Sequence, residues 1–182
     1  MEQQPLSRDG VNVGMEGWMP AGVDSSTVRV PNDPDQEVTM AADNKEISRR
    51  VFEEIWNNKK LNVIDELMAA DYVHHDAQSP EVPSGIEGHK EFVRHYLNAF
   101  PDLHYTIEDQ FADGNTVVIR WTATGTHQGD LPGIPRTGRQ FSVTGMTIAH
   151  VRDGKFIESW GNWDALGLMQ QLGVLPAERR AA

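Results

Sequence analysis

The sequence DGKFIESWGNWDALGLMQQLG, residues 153–173, predicts a turn, a strand and a helix in immediate succession. Asp153-Gly154 favours a tight hairpin turn, and Lys155–Trp163 follows it as a strand. A short amphipathic helix is expected over 165–172, because Gly173 is the type of residue at which helices end. The stretch therefore predicts the last strand of an antiparallel hairpin and a C-terminal helix.

Two more long strands precede this stretch. They are predicted over Thr116–Gln128 and Arg139–Arg152, with the loop 129–138 between them. Before them, residues 103–107 alternate apolar and polar side chains, and 112–115 is a hairpin turn. The second half of the chain is therefore expected to form antiparallel hairpins.

Three helices are predicted ahead of these strands. Asp43 and Glu46 resemble a capping box at the start of a helix over 44–58; further helices are expected over 62–69 and 87–99. Helices first and antiparallel hairpins afterwards indicate an α+β fold. A sheet that curves around three N-terminal helices leaves a cone, open at one end, that suits a ligand pocket.

Composition limits the classes of function. The 182 residues carry 16 Lys and Arg against 27 Asp and Glu, and a net charge of −11 argues against nucleic acid and anionic membranes as partners. The absence of cysteine excludes disulfides, a thiol nucleophile and zinc sites with thiolate ligands. No segment has the pattern of a membrane span or a signal peptide, so we expect a cytoplasmic protein.

The first 42 residues differ from the rest. They are rich in proline and acidic residues and have no sustained helical or strand period. We therefore expect a disordered or loosely docked extension over 1–42, one folded domain over 43–176 and a tail over 177–182. Met40, directly before the first helix signal, is an alternative start.

Several strings resemble the SnoaL-like polyketide cyclases. The most extensive is Glu158–Gly173, and shorter ones are Ala99–Leu103, Gly125–His127, Gly133–Gly138 and Asp153–Lys155. The resemblance covers about residues 44–175. It implies the cone-shaped fold of the nuclear-transport-factor-2-like superfamily, which ketosteroid isomerase and scytalone dehydratase share.

The resemblance also implies a chemistry. Characterised cyclases of this family close a ring by an intramolecular aldol reaction on an aromatic polyketide methyl ester, with no metal and no cofactor. A pocket aspartate acts there as general acid and base with a histidine nearby, and the matching positions in this chain are Asp164 and His150. Family members pair through the outer face of the sheet, so the resemblance further implies a homodimer or homotetramer.

Asp164 has two interpretations from its own neighbourhood. An aldol reaction needs a base, and burial beside Trp163, Leu166 and Leu168 would raise the pKa of a carboxyl toward a useful value. Asp164 also precedes a helix, where its carboxylate is able to cap the backbone N–H of Leu166 or Gly167. Both roles coexist only if one carboxylate oxygen faces the cavity.

The period of two assigns further residues to the wall of a pocket for a small hydrophobic molecule. Without a bulge, every second residue from Phe156 to Asp164 shares one face of the last strand. The substrate-binding residues predicted from this face and from its neighbouring strand are Met146, Ile148, Trp160 and Asn162. Trp121, on the strand before, is able to stack on a flat ring or to serve as a core aromatic. Phe92 and Tyr96 are expected to point inward from the third helix.

His74, His75 and Asp76 form a polar cluster at the predicted mouth of the cone. Adjacent histidines on a strand point to opposite faces, which disfavours a shared metal ion, so no metal site is predicted. His75 is predicted to face the pocket, with solvent exposure as the alternative.

Two other functions stay open on sequence alone. A non-catalytic binding domain would keep the cone and use His150 and Asp164 only within the protein. An isomerase or an epoxide hydrolase is able to use the same cone. Limonene-epoxide hydrolases, however, flank an arginine with aspartates, and Arg120-Trp121-Thr122 lacks the second carboxylate. A cofactor-independent cyclase or lyase acting on a hydrophobic, aromatic carbonyl compound is therefore the favoured function.

Overall fold

The computed structural model describes residues 34–79 and 82–176. Its helical elements are α1 (Pro34–Arg50) with a π-helical continuation (Val51–Asn57), the 3-10 turn Leu61–Val63, α2 (Ile64–Leu67), α3 (Ile86–Ala99) and α4 (Ala165–Leu172). Its strands are β1 (Met68–Asp76), β2 (His104–Asp113), β3 (Thr116–Thr126), β4 (Gln140–Arg152) and β5 (Lys155–Trp163). The predictions for residues 1–33 and 177–182 lie outside the described residues.

The strands of the described chain form one open sheet in the order β1-β5-β4-β3-β2. β1 runs parallel to β5, and the other neighbours are antiparallel. Helices thus precede antiparallel hairpins, and the predicted α+β fold is confirmed. None of the helices in the described ranges is long and apolar enough to span a membrane.

One face of the sheet forms the core with the π-helical segment and α3. Alternate residues of β3 and β4 are buried on this inner face, because successive side chains of a strand point to opposite sides. The fully buried members include Val117, Ile119, Ala149, Ile55 and Val93. Their burial, at roughly 25 cal/mol per Å² of apolar surface, is the main force that holds the helices on the sheet.

A bulge in β5 determines which residues face the core. His150 pairs with Glu158 but Val151 pairs with Phe156, so Ile157 is an extra residue in β5. The side chains therefore do not alternate without interruption from Phe156 to Asp164. Phe156 is buried, and beyond the bulge Ser159, rather than Glu158, is buried.

Two elements begin more than two residues away from the sequence-based expectation. α1 begins at Pro34 rather than at 44, so the predicted domain boundary at 42/43 falls inside a helix. The early part of α1 is too polar for an apolar period, although a proline at its first position and acidic residues after it suit a helix N-terminus. β1 begins at Met68, within the stretch predicted as helix 62–69. The strand Lys155–Trp163 and the helix 165–172 have the predicted bounds.

Candidate active site

A cavity of about 90 Å³ lies between the inner face of the sheet, the π-helical segment and α3. Its wall is mainly aromatic. Tyr105 packs edge-on against Phe52 and Trp121, with ring centroids 5.4 and 5.0 Å apart, and Trp56 meets Phe92 in the same way at 6.0 Å. Such a wall excludes water and strengthens the electrostatic interactions of any polar group that faces the cavity.

Asp76 is the only carboxylate among the described residues that line this cavity. It lies at the end of β1 and is 7% exposed. Its Oδ2 accepts a hydrogen bond of 3.2 Å from Trp163 Nε1–H, and its Oδ1 accepts one of 2.7 Å from the backbone N–H of Gln78. Each carboxylate oxygen retains a second lone pair, so Asp76 is able to accept a proton from a molecule in the cavity.

His74 lies on the same face of β1 as Asp76, because the two residues are two positions apart. Its Nδ1 is 2.9 Å from Ser159 Oγ, which is 2.6 Å from Tyr72 Oη. Burial raises the pKa of Tyr72, so the phenol stays protonated and is able to donate to Ser159 Oγ. With that bond made, the Ser159 hydroxyl is able to donate to His74 Nδ1.

This hydrogen-bond chain favours one neutral tautomer of His74. Burial lowers the pKa of His74, and the charge of Asp76 opposes that effect only in part. The imidazole is therefore neutral at neutral pH, and when Nδ1 accepts from Ser159 its proton lies on Nε2. His74 accordingly offers an N–H donor within the same wall as the carboxylate of Asp76.

Two tyrosine hydroxyls belong to the same wall. Burial raises the pKa of Tyr96 and of Tyr105, and the negative charge of Asp76 contributes to both shifts. Both phenols are thus protonated donors in the electrostatic range of Asp76. A developing negative charge on a substrate oxygen would find donors here rather than water.

The structure places Asp164 elsewhere. Asp164 is exposed and is the N-cap of α4, where its Oδ1 accepts a hydrogen bond of 2.7 Å from the backbone N–H of Gly167. A Cβ on Gly167 would collide with the Asp164 carboxylate, so this side chain lies directly over the first turn of the helix. The prediction that Asp164 faces the cavity is wrong, because its carboxylate caps the helix.

His150 lies on the outer face of the sheet, with 41% of its side chain exposed, and its Nδ1 is 3.8 Å from Glu158 Oε2. The β4–β5 register pairs His150 with Glu158, and Asp164 lies opposite Thr144, six residues along β4, which puts His150 and Asp164 roughly 20 Å apart along the strands. The predicted catalytic pair is therefore not brought together.

The other misplaced residues lie on the outer face of the sheet; the bulge in β5 explains this for Trp160 and Asn162, and His75, Met146 and Ile148 are their register neighbours on β1 and β4. His75 and Trp160 stack on the outer face with ring centroids 5.1 Å apart, and His75 Nε2 is 2.8 Å from Glu158 Oε1. Met146 and Ile148 are 53% and 41% exposed on the same face, and Asn162 is exposed as well. None of these residues lines the cavity, contrary to the prediction.

Trp121, Phe92 and Tyr96 do line the cavity, as expected, and their contact with a substrate stays a prediction. The opposite orientations of His74 and His75 also agree with the sequence-based geometry. Arg120 faces outward and pairs with Asp109, so it is not available to the cavity for epoxide chemistry.

Sequence reasoning placed His74 and Asp76 at the predicted mouth of the cone but assigned the pocket position to His75, and it missed His89. The signal was present: Tyr72, His74 and Asp76 stand at every second position of β1. A buried tyrosine at the first of them would have indicated the inner face for the other two.

Comparison with known proteins agrees with this architecture. The chain matches the family model of the SnoaL-like polyketide cyclases over residues 46–172. Aklanonic acid methyl ester cyclase DnrD of Streptomyces peucetius is 30% identical over 132 residues, which cover 70% of this chain and 89% of that protein. DauD of Streptomyces sp. (strain C5), a protein of the same name, is 30% identical over 132 residues, 70% of this chain and 80% of its own.

A solved structure shows the same fold. TsrD of Streptomyces laurentii superimposes with a TM-score of 0.67 and 32% sequence identity, over 74% of this chain and 97% of its own. The family match and the relatives named as cyclases thus span the part of the chain that builds the cavity. The chain belongs to the SnoaL-like polyketide cyclase family.

Proposed function

We propose that the protein is a cofactor-independent cyclase that closes a ring by an intramolecular aldol reaction on a hydrophobic, aromatic carbonyl compound. One observation carries this proposal. Asp76, the one carboxylate among the described lining residues, faces an aromatic cavity beside a neutral histidine, His74. The proposal keeps an Asp/His mechanism and assigns it to Asp76 and His74 in place of Asp164 and His150.

Asp76 acts as the base. Its free lone pair takes a proton from the carbon next to a substrate carbonyl, and the electron pair of that C–H bond forms the enolate. The enolate carbon then attacks a second carbonyl carbon of the same molecule, and the alkoxide that results recovers the proton from Asp76. The reaction is a net isomerisation, so it consumes no co-reactant. A positioned general base of this kind contributes roughly 10²–10⁴ in rate.

His74 stabilises the enolate. A neutral imidazole with its proton on Nε2 donates to the oxygen on which negative charge develops, and it does so without a charge of its own. Donation from Ser159 Oγ to Nδ1, with Tyr72 donating to Ser159, supports this tautomer. On β1, Asp76 and His74 are about 7 Å apart at their Cα atoms, the separation of alternate strand residues, so one substrate is able to contact both.

The names of two relatives indicate which substrate to test first. DnrD and DauD are named as aklanonic acid methyl ester cyclases, so we propose an aromatic polyketide ester of this class as the substrate. The aromatic wall favours a flat, hydrophobic molecule of this kind, because rings stack and pack edge-on against one another.

The variant Asp76→Asn tests the proposal. Chromatography measures the rate at which each protein cyclises aklanonic acid methyl ester. Asparagine keeps the shape of the side chain and removes the basic carboxylate, so we expect kcat to fall roughly 10²–10⁴-fold. Asp164→Asn is the matched control, since it makes the same chemical change at the exposed N-cap, where asparagine caps equally well. Equal activity of the two variants would contradict the assignment of the base.

We also propose that two copies of the chain associate through the outer face of the sheet. A continuous row crosses all strands of the described sheet there, because register partners connect His75, Trp160, Ile148, Val118 and Phe111. Phe111 is 64% exposed and Ile148 41%. An apolar row of this length, roughly 19 Å across, suits burial against its own copy.

A cytoplasmic location stays a prediction.

A further inference from the structure

Gly161 leaves a gap in the polar side of the cavity wall. It lies on β5 and lines the cavity together with its register partners on both neighbouring strands, Asp76 of β1 and Thr147 of β4. Register partners on adjacent strands are roughly 5 Å apart, so the missing side chain leaves a space with one of these residues on each side. We call this space, which Asp76, Thr147 and His74 surround, the notch.

The imidazole edge of His74 borders the notch. A Cβ on Gly161 would lie 3.6 Å from His74 Cε1 and 3.9 Å from its Nε2. His74 Nε2 has no hydrogen-bond partner among the described residues and, unlike the two ring nitrogens of His89, it is not fully enclosed by the protein. The N–H that the proposed mechanism uses is therefore accessible beside the position of the missing side chain.

Neither the backbone nor the packing requires glycine at this position. Gly161 lies within β5 and has no positive φ, unlike Gly85, so its conformation is open to other residues. The distances from its Cβ to His74 would be ordinary van der Waals contacts. Gly145 on β4 differs, because a Cβ there would overlap the ring of Trp121. Since glycine weakens the interior of a strand, Gly161 lowers the stability of β5 without a structural reason.

We infer that the notch holds the reacting carbonyl group of the substrate, which makes Gly161 a specificity-determining residue of the site. A carbonyl oxygen in this space accepts from His74 Nε2–H, and the carbon next to the carbonyl lies on the side of Asp76, which removes its proton. A side chain at position 161 would occupy the same space and hold the carbonyl away from both groups. The inference rests on the proposed function for the chemistry and on the surroundings of Gly161 for the position of the reacting group.

The variants Gly161→Val and Gly161→Ala test the inference through kcat and KM for aklanonic acid methyl ester. Valine fills the notch, and since a misplacement of about 1 Å is able to slow a reaction roughly 10²-fold, kcat/KM should fall about a hundredfold. Alanine fills part of the notch and should cause a loss of roughly tenfold. Both losses should lie mainly in kcat, because the aromatic wall that binds the rest of the substrate is unchanged. Gly161→Ala should also unfold at a higher urea concentration than the wild-type protein, because alanine suits a strand better than glycine.

Asn162→Val is the matched control. Asn162 is the next residue of β5 and is exposed, so a valine there leaves the cavity unchanged and should keep the wild-type kcat and KM. A wild-type kcat/KM in Gly161→Val would overturn the inference. A Gly161→Ala variant that unfolds at a lower urea concentration than the wild-type protein would also overturn it, because packing would then require the glycine.

A measurement on the wild-type protein covers a Gly161→Val variant that does not fold. Nitrogen-15 NMR of the imidazole should show the His74 Nε2 resonance shifting when acetophenone, a small aryl ketone, is added. Ethylbenzene, in which a methylene replaces the carbonyl, should shift this resonance far less. A resonance that responds equally to both compounds, or to neither, would overturn the inference. In a folded Gly161→Val variant, acetophenone should leave the resonance in place.

Asp76→Asn separates this inference from the proposed function. It should lose cyclisation and keep the response of His74 to acetophenone. If Asp76→Asn cyclises normally while Gly161→Val does not, the assignment of the base is wrong and the inference about the notch is supported. If Gly161→Val cyclises normally while Asp76→Asn does not, the inference about the notch is wrong and the assignment of the base is supported.

Discussion

Trp163 on β5 donates its indole N–H to the Asp76 carboxylate on β1 across 3.2 Å. This bond joins the two parallel strands of the sheet and fixes the orientation of the proposed base. The next residue, Asp164, instead directs its carboxylate to the N-terminus of α4. Two neighbouring residues therefore have different roles. Trp163 orients a carboxylate in the cavity, and Asp164 caps the N-terminus of a helix.

Trp163→Phe should lower kcat roughly tenfold and leave KM nearly unchanged. The variant removes the hydrogen bond to Asp76 and keeps an aromatic ring in the wall, and bonds to charged groups contribute about 1.5–3 kcal/mol. Trp121→Phe is the matched control, because its indole N–H donates to Thr147 Oγ1 at 3.0 Å in the same cavity and not to the carboxylate. An equal loss of kcat in both variants would indicate a general packing effect.

Asp164→Ala should cost about 1 kcal/mol in the free energy of unfolding, because the N-cap bond to Gly167 is lost. Asp164→Asn should unfold at nearly the wild-type urea concentration, and both variants should keep the wild-type kcat. Urea denaturation and the cyclisation assay measure the two quantities. A hundredfold lower kcat for Asp164→Asn would show that Asp164 takes part in catalysis.

The stability of the fold should fall as the pH drops below about 6.5. The unfolded chain protonates His89 at its ordinary pKa of 6.5, whereas the folded protein holds that pKa at about 3. Between these values the unfolded state binds more protons, so the contribution is fully present above pH 6.5 and is lost as the pH falls toward 3. The slope is at most about 1.4 kcal/mol per pH unit.

His89→Phe isolates this contribution, since it removes the titrating group. The lowered pKa of His74 acts in the same direction and stays in the variant. Urea denaturation of both proteins at about pH 7 and about pH 5 should show a smaller loss of stability in the variant than in the wild-type protein. Parallel losses would mean that the folded protein protonates His89 as easily as the unfolded chain does.

Ile148→Glu should produce a monomer. The substitution puts a charge in the middle of the apolar row on the outer face, where association would bury it, and a buried unpaired charge is strongly unfavourable. Sedimentation velocity measures the change, and Leu166→Glu is the control, since Leu166 is 61% exposed on α4 and does not belong to the row. A wild-type protein that sediments as a monomer would refute the proposed association.

The fold could be predicted from the sequence, but the residues that face the cavity could not. Turn residues at Asp153-Gly154 and Gly173 mark element ends by local conformation, and the predicted bounds of the last strand and helix therefore match the structure. The orientation of β5 depends on one extra residue, Ile157, whose pairing is set by the neighbouring strand and has no local signal. Because this bulge was not predicted, Trp160 and Asn162 were assigned to the wrong face of the sheet.

The same reasoning applies to Asp164 and Asp76. An aspartate before a helix is able to cap that helix or to face a pocket. The packing of α4 against β4 decides between these two roles. The parallel pairing of β1 with β5 brings Asp76 to Trp163 from 87 positions away in the chain. Such a contact follows from topology, which a local pattern does not encode.

Exchange of the acidic C–H proton of the substrate with solvent deuterium tests the central assignment most directly, because it reports proton removal before ring closure. The wild-type protein and Asp164→Asn should incorporate deuterium from D₂O into aklanonic acid methyl ester or its cyclised product. Asp76→Asn should do so at least about a hundredfold more slowly. Incorporation by Asp76→Asn at the wild-type rate would contradict the account.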